Sequence, residues 1–385
     1  MPDGQTPTIL VVGASGYFGS LLVQGLLEET DCRIVVAARR HCRLVGLCRR
    51  LGPAGEGRLV VQVVDLAQPV SLESALTGVR IAICAAGPFQ ELPMTLVQLC
   101  LERGIHYIDL SDDRRFVMEV RRLIQAQPRQ PVFPVVCPGW SSVPALSAVL
   151  THLAAEGMER IHSIDVQMAP GNRAPRSLAT VSSLLASVGR PFTVWRQGMW
   201  HSVRGWSAPR TFPFPEPIGP RVGFLVDVPD HELFPSLFGA RRVEFRVGAE
   251  LALWNRLTSV LGWLIRRGAI RQRKRWVALA RQAGALLGWL GHDWGALGVE
   301  VTGSSAGRPM SGRACVVADR AGHRIPVMPA VLMTNALLTG QTAYRGLVSL
   351  DRWLSREQLA SACQRWGFRL VVEGPVESHR RSADA

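Results

Sequence analysis

The stretch Thr8–Gly19, TILVVGASGYFG, decides the fold of this chain. Its first five residues are largely apolar and β-branched, which predicts a buried strand. Gly13, Gly16 and Gly19 follow, and leucines between positions 21 and 27 then repeat at helical spacing. A strand, a glycine turn and a helix in this order are typical of a dinucleotide-binding turn, where the backbone and the helix N-terminus approach a pyrophosphate. The alternative is an ordinary strand-to-helix turn.

The end of the second predicted strand indicates which dinucleotide is preferred. Arg33–Ala38 form this strand, and Arg39 and Arg40 follow it. An NAD-binding domain usually carries an acidic residue at this point to hold the ribose hydroxyls. A guanidinium instead matches a 2′-phosphate in charge and shape, so the pattern favours NADP over NAD. Two solvated surface charges are the alternative.

Strand-like and helical segments alternate through the first third of the chain. This alternation predicts an α/β fold in which residues 1–150 form a Rossmann domain, a doubly wound parallel sheet. The remaining predicted strands of this domain are Leu59–Val64, Val79–Ala85, Ile105–Leu110 and Pro131–Val136, and its later helices cover 71–76, 93–103 and 114–127.

The rhythm changes after residue 150, which predicts a second, mixed α+β domain over residues 151–345. Residues 346–385 are left as a C-terminal segment, whose last dozen polar residues are expected to fray. The predicted elements of the second domain are strands at 161–168, 223–228, 242–247, 297–302 and 315–318, and helices at 180–187 and 328–338.

Composition excludes several classes of protein. The formal net charge is +14, and almost all the positive charge is arginine because Lys274 is the only lysine. The basic residues are spread out and form no aromatic-plus-basic module, so we expect no nucleic-acid partner. The tyrosines are Tyr17, Tyr107 and Tyr344, so the Tyr-x-x-x-Lys pair of short-chain dehydrogenases cannot form.

Cysteine usage and hydropathy bear on location. The eight cysteines show no Cys-x-x-Cys pair and no cluster with histidine, which predicts reduced thiols and no metal site. The first residues are polar, and no stretch of about 20 residues is continuously apolar, so we expect neither a signal peptide nor a spanning helix. These features predict a cytoplasmic protein.

A basic helical hairpin is predicted over residues 250–292. Apolar residues from Leu251 to Ile265 repeat at helical spacing, a run of basic residues from 266 to 275 follows, and a second apolar helix covers 277–290. Basic residues beside amphipathic helices with tryptophan fit an anionic membrane surface. The alternative is a helix pair that packs on its own domain, so peripheral membrane contact stays open.

Ligands of open α/β sheets lie beyond the carboxyl ends of the strands. Asp65 and Leu66, after the third strand, are therefore expected to flank the adenine. Ala86–Phe89, after the fourth, are expected beside the ribose and nicotinamide, with core packing as the alternative for Phe89. The predicted cofactor-binding residues are Gly13, Ser15, Gly16, Tyr17, Phe18, Gly19, Arg39, Arg40, Asp65, Leu66, Ala86, Gly87, Pro88 and Phe89.

Candidate catalytic residues lie on the fifth strand. Tyr107 and Asp109 point to the same side because side chains alternate along a strand. Either could donate a proton after hydride transfer, and the alternatives are a core tyrosine and a helix-capping or hinge aspartate. His106 faces the other side and is expected to be structural. In the second domain, Arg176 and His201 are candidate substrate contacts.

Three stretches together resemble the saccharopine dehydrogenase-like NAD(P)-dependent oxidoreductases, a family with trans-acting enoyl reductase-like relatives. They are VVGASGYFG at 11–19, residues 85–113, and CPGWSSVPAL at 137–146. The chain departs from the family at 111–113, where Ser-Asp-Asp replaces a glycine-glutamate pair. It departs again at 177–180, where Ser-Leu-Ala-Thr replaces a Gly-Gly-Thr segment.

The resemblance implies an NADP(H)-dependent oxidoreductase that transfers hydride to a C=N or C=C bond of a small-molecule substrate. The alternative is a non-catalytic NADP-binding scaffold that meets a membrane through residues 251–290. The oligomeric state, including a homodimer, stays open. Aromatic residues of the second domain favour an apolar substrate, with core packing as the alternative; they are Trp195, Trp200, Trp206, Phe212 and Phe214.

Overall fold

The computed structural model divides the chain into two compact units. The first comprises residues 1–143 and 326–349, and the second comprises 144–325 and 350–385. The sequence places residues 326–349 in the second domain and the C-terminal segment, whereas in the structure they belong to the first unit. The described residues are 6–127, 133–173, 187–266, 290–341 and 344–377.

The first unit is a seven-stranded parallel sheet with helices, as predicted from the alternating pattern. Its strand order is β15-β6-β5-β4-β1-β2-β3, and its central strands are apolar and buried. The strands are β1 (Thr8–Val12), β2 (Arg33–Ala38), β3 (Leu59–Val63), β4 (Val79–Cys84), β5 (His106–Asp109), β6 (Val135–Cys137) and β15 (Gly346–Leu347). The helices are α1 (Tyr17–Glu29), α2 (His41–Leu51), α3 (Pro69–Ala75), α4 (Thr95–Glu102), α5 (Arg114–Gln125) and α9 (Met328–Thr339).

Two contacts explain why residues 326–349 belong to the first unit. The two-residue strand β15 adds to the sheet edge, where Leu347 pairs with Val136 of β6. Helix α9 packs against α1, and its Leu337 carbonyl accepts a hydrogen bond from the Arg80 guanidinium at 3.1 Å. The returning chain therefore both extends the sheet and covers one of its helices.

The second unit is a mixed sheet, which confirms the predicted α/β class with a second α+β domain. Its main order is β10-β11-β12-β7-β13-β14-β16, and a β8–β9 hairpin joins through β12. The strands are β7 (Arg160–Pro170), β8 (Pro191–Arg196), β9 (Met199–Arg204), β10 (Arg210–Pro213), β11 (Pro220–Leu225), β12 (Arg242–Val247), β13 (Gly295–Ser305), β14 (Arg308–Ala318) and β16 (Phe368–Glu377). The helices are α6 (Ser147–Ala154), α7 (Asp230–Phe238), α8 (Ala252–Arg266) and α10 (Arg356–Arg365).

Several elements differ from the sequence expectations. The segment expected to fray begins as strand: β16 extends to Glu377 because it pairs with β14. Helices α7 and α10 have no counterpart among the predicted elements. Of the predicted basic hairpin, α8 is helical, while 267–289 lie outside the described residues, as do 180–186. No helix of the described residues is long and apolar enough to cross a membrane.

Candidate functional site

The glycine turn after β1 is braced between two neighbouring strands. Gly13 has a positive φ of 84°, and a Cβ there would lie 2.5 Å from the Ala86 nitrogen, just past β4. On the other side, the Gly13 and Ala14 N–H groups donate to the Ala37 carbonyl of β2 at 2.8 and 3.1 Å. Only glycine therefore fits at position 13, for reasons of conformation and of space.

The other two glycines shape the entry to α1. A Cβ on Gly19 would lie 2.1 Å from the Gly13 carbonyl oxygen, so this residue sets the close packing of the helix on the turn. Gly16 caps α1 without a side-chain hydrogen bond, and the first turn carries no acidic residue. The N-terminus of α1 therefore keeps the positive character that favours a bound phosphate. Ser15, Tyr17 and Phe18 are half-buried around it.

Arg39 and Arg40 follow β2 at the same edge of the sheet. Both side chains are exposed, and neither forms a hydrogen bond or an ion pair through its guanidinium within the part of the chain that the structure describes. Arg40 also caps α2, because its carbonyl accepts the Arg43 N–H at 3.2 Å. These two exposed guanidinium groups are available for an anionic group such as a phosphate.

The turn after β3 is fixed by hydrogen bonds. The Ser71 hydroxyl donates to the Asp65 carbonyl at 3.0 Å and lies 3.2 Å from the Asp65 nitrogen. The Asp65 carboxylate accepts the Ala67 N–H at 3.1 Å, and Leu66 is buried. Val64 donates to the Ala38 carbonyl, so this turn begins beside the end of β2.

The turn after β4 has an exposed glycine and a packed aromatic ring. Ala85 donates to the Val12 carbonyl at 2.8 Å, and Gly87 is exposed to solvent. The Phe89 ring lies 5.2 Å from the Phe116 ring of α5, between centroids. Ala86, Gly87, Pro88 and Phe89 thus form the wall of the sheet edge next to the glycine turn.

Tyr107 and Asp109 on β5 are both buried, with exposed fractions of 1% and 0%. Burial raises the pKa of Tyr107 well above its usual value, so this phenol keeps its proton at neutral pH. Burial also raises the pKa of Asp109 to about 6, against the lowering effect of the Gly139 and Ser111 N–H groups. A catalytic role for either residue stays a prediction.

The structure links Asp109 to a residue that sequence reasoning did not single out. Asp109 Oδ1 accepts the N–H groups of Ser111 at 2.9 Å and Gly139 at 2.8 Å. Its backbone carbonyl accepts the Trp140 N–H at 2.7 Å. The CPGW motif at 137–140 was the only available signal, because no local pattern joins positions 109 and 139.

The remaining candidates have other surroundings. His106 Nδ1 accepts the Val135 N–H at 2.9 Å and so fastens β6 to β5. His201 is half-buried on β9, and Arg176 lies outside the described residues. Trp206, Phe212 and Phe214 are buried in the second unit, whereas Trp200 is 43% exposed. Among the described residues, no group of histidine, cysteine and acidic side chains could hold a metal ion.

The second unit contains a charged cluster that the sequence did not indicate. Glu244, Asp165 and Glu300 stand opposite one another on β12, β7 and β13, and we call them the acidic rung. Arg246 bridges Asp165 at 3.1 Å and Glu244 at 2.6 Å. Burial would raise the pKa of Glu244, but Arg246 and Arg242 hold it at about 2. The arginines that pair with the rung are Arg196, Arg210, Arg242, Arg246 and Arg313.

Comparisons with known proteins agree with this architecture. Residues 9–130 match the saccharopine dehydrogenase NADP binding domain. A human saccharopine dehydrogenase-like oxidoreductase is 26% identical, over 42% of this chain and 43% of that protein. A protein of the same description from Bos taurus is 24% identical, over 38% and 37%. The match therefore spans less than half the length of either relative.

A solved structure extends the likeness to both units at the level of fold. The apo histidine-tagged saccharopine dehydrogenase (L-Glu forming) from Saccharomyces cerevisiae superposes with a TM-score of 0.65 and 14% identity, over 96% of this chain and 100% of that one. The NADP-type cofactor prediction is confirmed by the domain match over the glycine turn and the strand ends. The predicted resemblance is therefore confirmed: residues 9–130 match the saccharopine dehydrogenase NADP binding domain, and the chain is similar to saccharopine dehydrogenase-like oxidoreductases.

Proposed function

We propose that this protein is an NADP(H)-dependent oxidoreductase that reduces a C=N or C=C bond of a small, largely apolar molecule. The observation that carries the proposal is the carboxyl edge of the first sheet. There, a glycine turn would admit a phosphate chain to the α1 N-terminus, and two exposed arginines lie one strand away. The double-bond classes come from the resemblance to the family.

The residues at this edge fit the cofactor. The turn Gly13–Gly19 would hold the pyrophosphate, Arg39 and Arg40 the 2′-phosphate, and Asp65 with Leu66 the adenine side. The wall Ala86–Phe89 would lie beside the nicotinamide side. When bound, NADPH supplies a hydride, and the chain supplies orientation and exclusion of water. Tyr107 keeps its proton at neutral pH, and the turnover of Tyr107→Phe tests whether this buried phenol is the proton donor.

The test is a fluorescence titration with NADPH and NADH in wild type and Arg39→Ala. A charged hydrogen bond to phosphate contributes about 1.5–3 kcal/mol, so NADPH affinity should fall roughly 10- to 100-fold while NADH affinity stays unchanged. The matched control is Arg33→Ala, because Arg33 is an exposed arginine at the opposite end of the same strand. Equal losses for the two dinucleotides would contradict the phosphate-reading role, and binding of neither would contradict the enzyme proposal.

A second candidate is a non-catalytic NADP-binding scaffold at an anionic membrane surface. It is favoured by α8, where three large apolar side chains, Leu253, Leu257 and Val260, are each about half exposed (53%, 50% and 54%) on one side. Trp254 is buried on the other side, and the Asn255 carbonyl accepts the Trp206 indole N–H. From 251 to 292 the sequence has no acidic residue. Apolar residues beside basic ones fit a lipid headgroup surface.

Flotation with phosphatidylcholine vesicles, with and without phosphatidylserine, tests this candidate. Wild type should float only with the anionic vesicles, and the Leu253→Glu/Leu257→Glu double variant should not. Val376→Glu is the control, because Val376 is an exposed apolar residue on β16. Flotation that ignores lipid charge, or survives the double variant, would remove the candidate. NADPH oxidation with any substrate would favour the enzyme over the scaffold.

A further inference from the structure

Asp109 is the most fully engaged carboxyl group at the carboxyl edge of the first sheet. It is completely buried at the end of β5 and makes three hydrogen bonds to backbone N–H groups, two through Oδ1 and one through its carbonyl. Two of the three donors, Gly139 and Trp140, are thirty residues away in sequence, in the turn that follows β6. Asp109 therefore holds this turn, which no strand pairing holds, through one side-chain bond and one backbone bond.

The same turn is tied to the point where the chain returns. The Ser141 hydroxyl donates to the Pro326 carbonyl at 2.9 Å. The chain leaves the first unit after residue 143 and re-enters it at residue 326. Asp109, the 139–141 turn and Pro326 thus form one continuous set of contacts. This set lies at the edge where the proposed cofactor site is built, since Cys84 and Asp109 are paired residues of β4 and β5.

We propose that Asp109 is a positioning residue, which locks the 139–141 turn and the returning chain at Pro326 to the end of β5, and that it is not the proton donor to the substrate. The inference rests on the proposed function for its catalytic meaning. A donor must present its acid to the substrate. Here Oδ1 is occupied by two backbone donors, and Oδ2 is buried in the interior, with the Tyr107 side chain interacting with the carboxyl group.

The two oxygens also explain how the turn tolerates a change of protonation. A proton added to the carboxyl group goes to Oδ2, because Oδ1 already accepts two N–H groups. The hydrogen bonds from the Ser111 and Gly139 N–H groups then survive. Asparagine reproduces this protonated form, with its amide oxygen in the place of Oδ1. Alanine removes the acceptor and leaves two buried N–H groups without a partner.

The experiment compares full-length variants by amide hydrogen exchange and NADPH titration. In Asp109→Ala, the Ser111 and Gly139 amides lose their acceptor and should exchange at least ~10-fold faster, and NADPH affinity should fall roughly 10-fold as the site edge loosens. In Asp109→Asn, both should stay within about 3-fold of wild type. Asp112→Asn is the control, because Asp112 is an exposed aspartate three residues further on.

Ser141→Ala removes only the hydrogen bond between the turn and Pro326. It provides a second, milder test in case Asp109→Ala fails to fold. It should release the returning residues near 326 while the Gly139 and Trp140 amides stay protected. Exchange in Asp109→Asn as fast as in Asp109→Ala overturns the proposal. So does an asparagine variant that keeps slow exchange and NADPH affinity but loses turnover, because that result assigns the proton donor. If wild type binds no NADPH, the proposed function fails while the exchange data still decide what Asp109 holds.

Discussion

The two sheets of this protein bury their residues in different ways. In the first sheet, the central strands β1, β2 and β4 are largely apolar and buried, and the candidate cofactor-binding residues lie just beyond the ends of the strands. In the second sheet, charge lies within the strands, as the acidic rung and its arginines on one face. Like charges directly opposite repel, so the rung depends on its arginines. The central strands of the first sheet thus bury mainly apolar side chains, whereas three neighbouring strands of the second sheet each carry an acidic residue.

Glycine replacement should produce the largest difference between the sheets. In Gly19→Ala, the new Cβ would lie 2.1 Å from a backbone oxygen that the turn cannot move, so we expect a loss of more than about 4 kcal/mol and no NADPH binding. In Gly298→Ala, the Cβ would lie 2.6 Å from the Phe212 ring, a side chain that can shift. We expect about 1–3 kcal/mol there. Urea unfolding measures both, and equal losses would show that the two sheets are equally rigid.

The buried aspartates should differ in their pH windows. The pKa of Asp230 is raised to about 7 by burial, with one hydroxyl bond from Ser147, whereas that of Asp109 is about 6 with two N–H bonds. Between about pH 4 and 7, folded Asp230 keeps a proton that the unfolded chain releases, so stability falls as pH rises, by roughly 4 kcal/mol in all. Asp230→Asn should remove this decrease of stability with pH. Asp109→Asn should remove a smaller decrease, which ends near pH 6. Unfolding midpoints measured from pH 4 to 8 test this, and parallel curves for wild type and variants would contradict it.

Arginine replacement should sharpen the contrast in charge. Arg246→Met leaves Asp165 and Glu244 buried with fewer cations, and we expect a loss of about 3 kcal/mol. Arg58 of the first unit donates instead to backbone carbonyls, including those of Cys32 and Leu27 at 3.1 Å. Arg58→Met should cost only about 1–2 kcal/mol, because its partners are neutral carbonyls and no buried carboxylate loses its counter-ion. Calorimetry of both variants measures the two losses of unfolding free energy. A larger loss for Arg58→Met than for Arg246→Met would contradict this prediction.

Helix caps should give the smallest effects. Asp113 caps α5 in the first unit by accepting the Phe116 N–H at 2.8 Å, and its charge suits the helix N-terminus. Ser355 caps α10 in the second unit through a reciprocal pair with Gln358. Alanine should cost about 1–2 kcal/mol at Asp113 and about 1 kcal/mol or less at the exposed Ser355. Added salt should shrink only the difference at Asp113, and a salt-independent loss there would exclude the charge effect.

The same contrast explains what could be predicted. Strands β1, β2 and β4 could be predicted from the sequence, because continuous runs of apolar, β-branched residues are typical of buried strands. The glycines likewise predicted the turn after β1. Strand β15 could not be predicted, because a strand of two residues has no periodic pattern. Helix α7 was not predicted because it contains Pro235, which disfavours a helix interior. Helix α10 was not predicted because its sequence is largely polar, although it begins at a capping box. The role proposed for Asp109 depends on its hydrogen bond with Gly139. A contact between residues thirty positions apart leaves no local pattern in the sequence, so it could not be predicted.

The return of residues 326–349 has a consequence for how the protein is made. In most multidomain chains an N-terminal domain closes while later parts are still being synthesised. Here the nucleotide-binding half stays incomplete until Leu347 leaves the ribosome, with the edge of β6 open and α1 uncovered. A fragment that ends at residue 143 would contain every glycine of the turn. It would lack helix α9, which covers α1, and strand β15, which pairs with β6. Expressing the cofactor half alone therefore requires splicing the late segment back onto the early one.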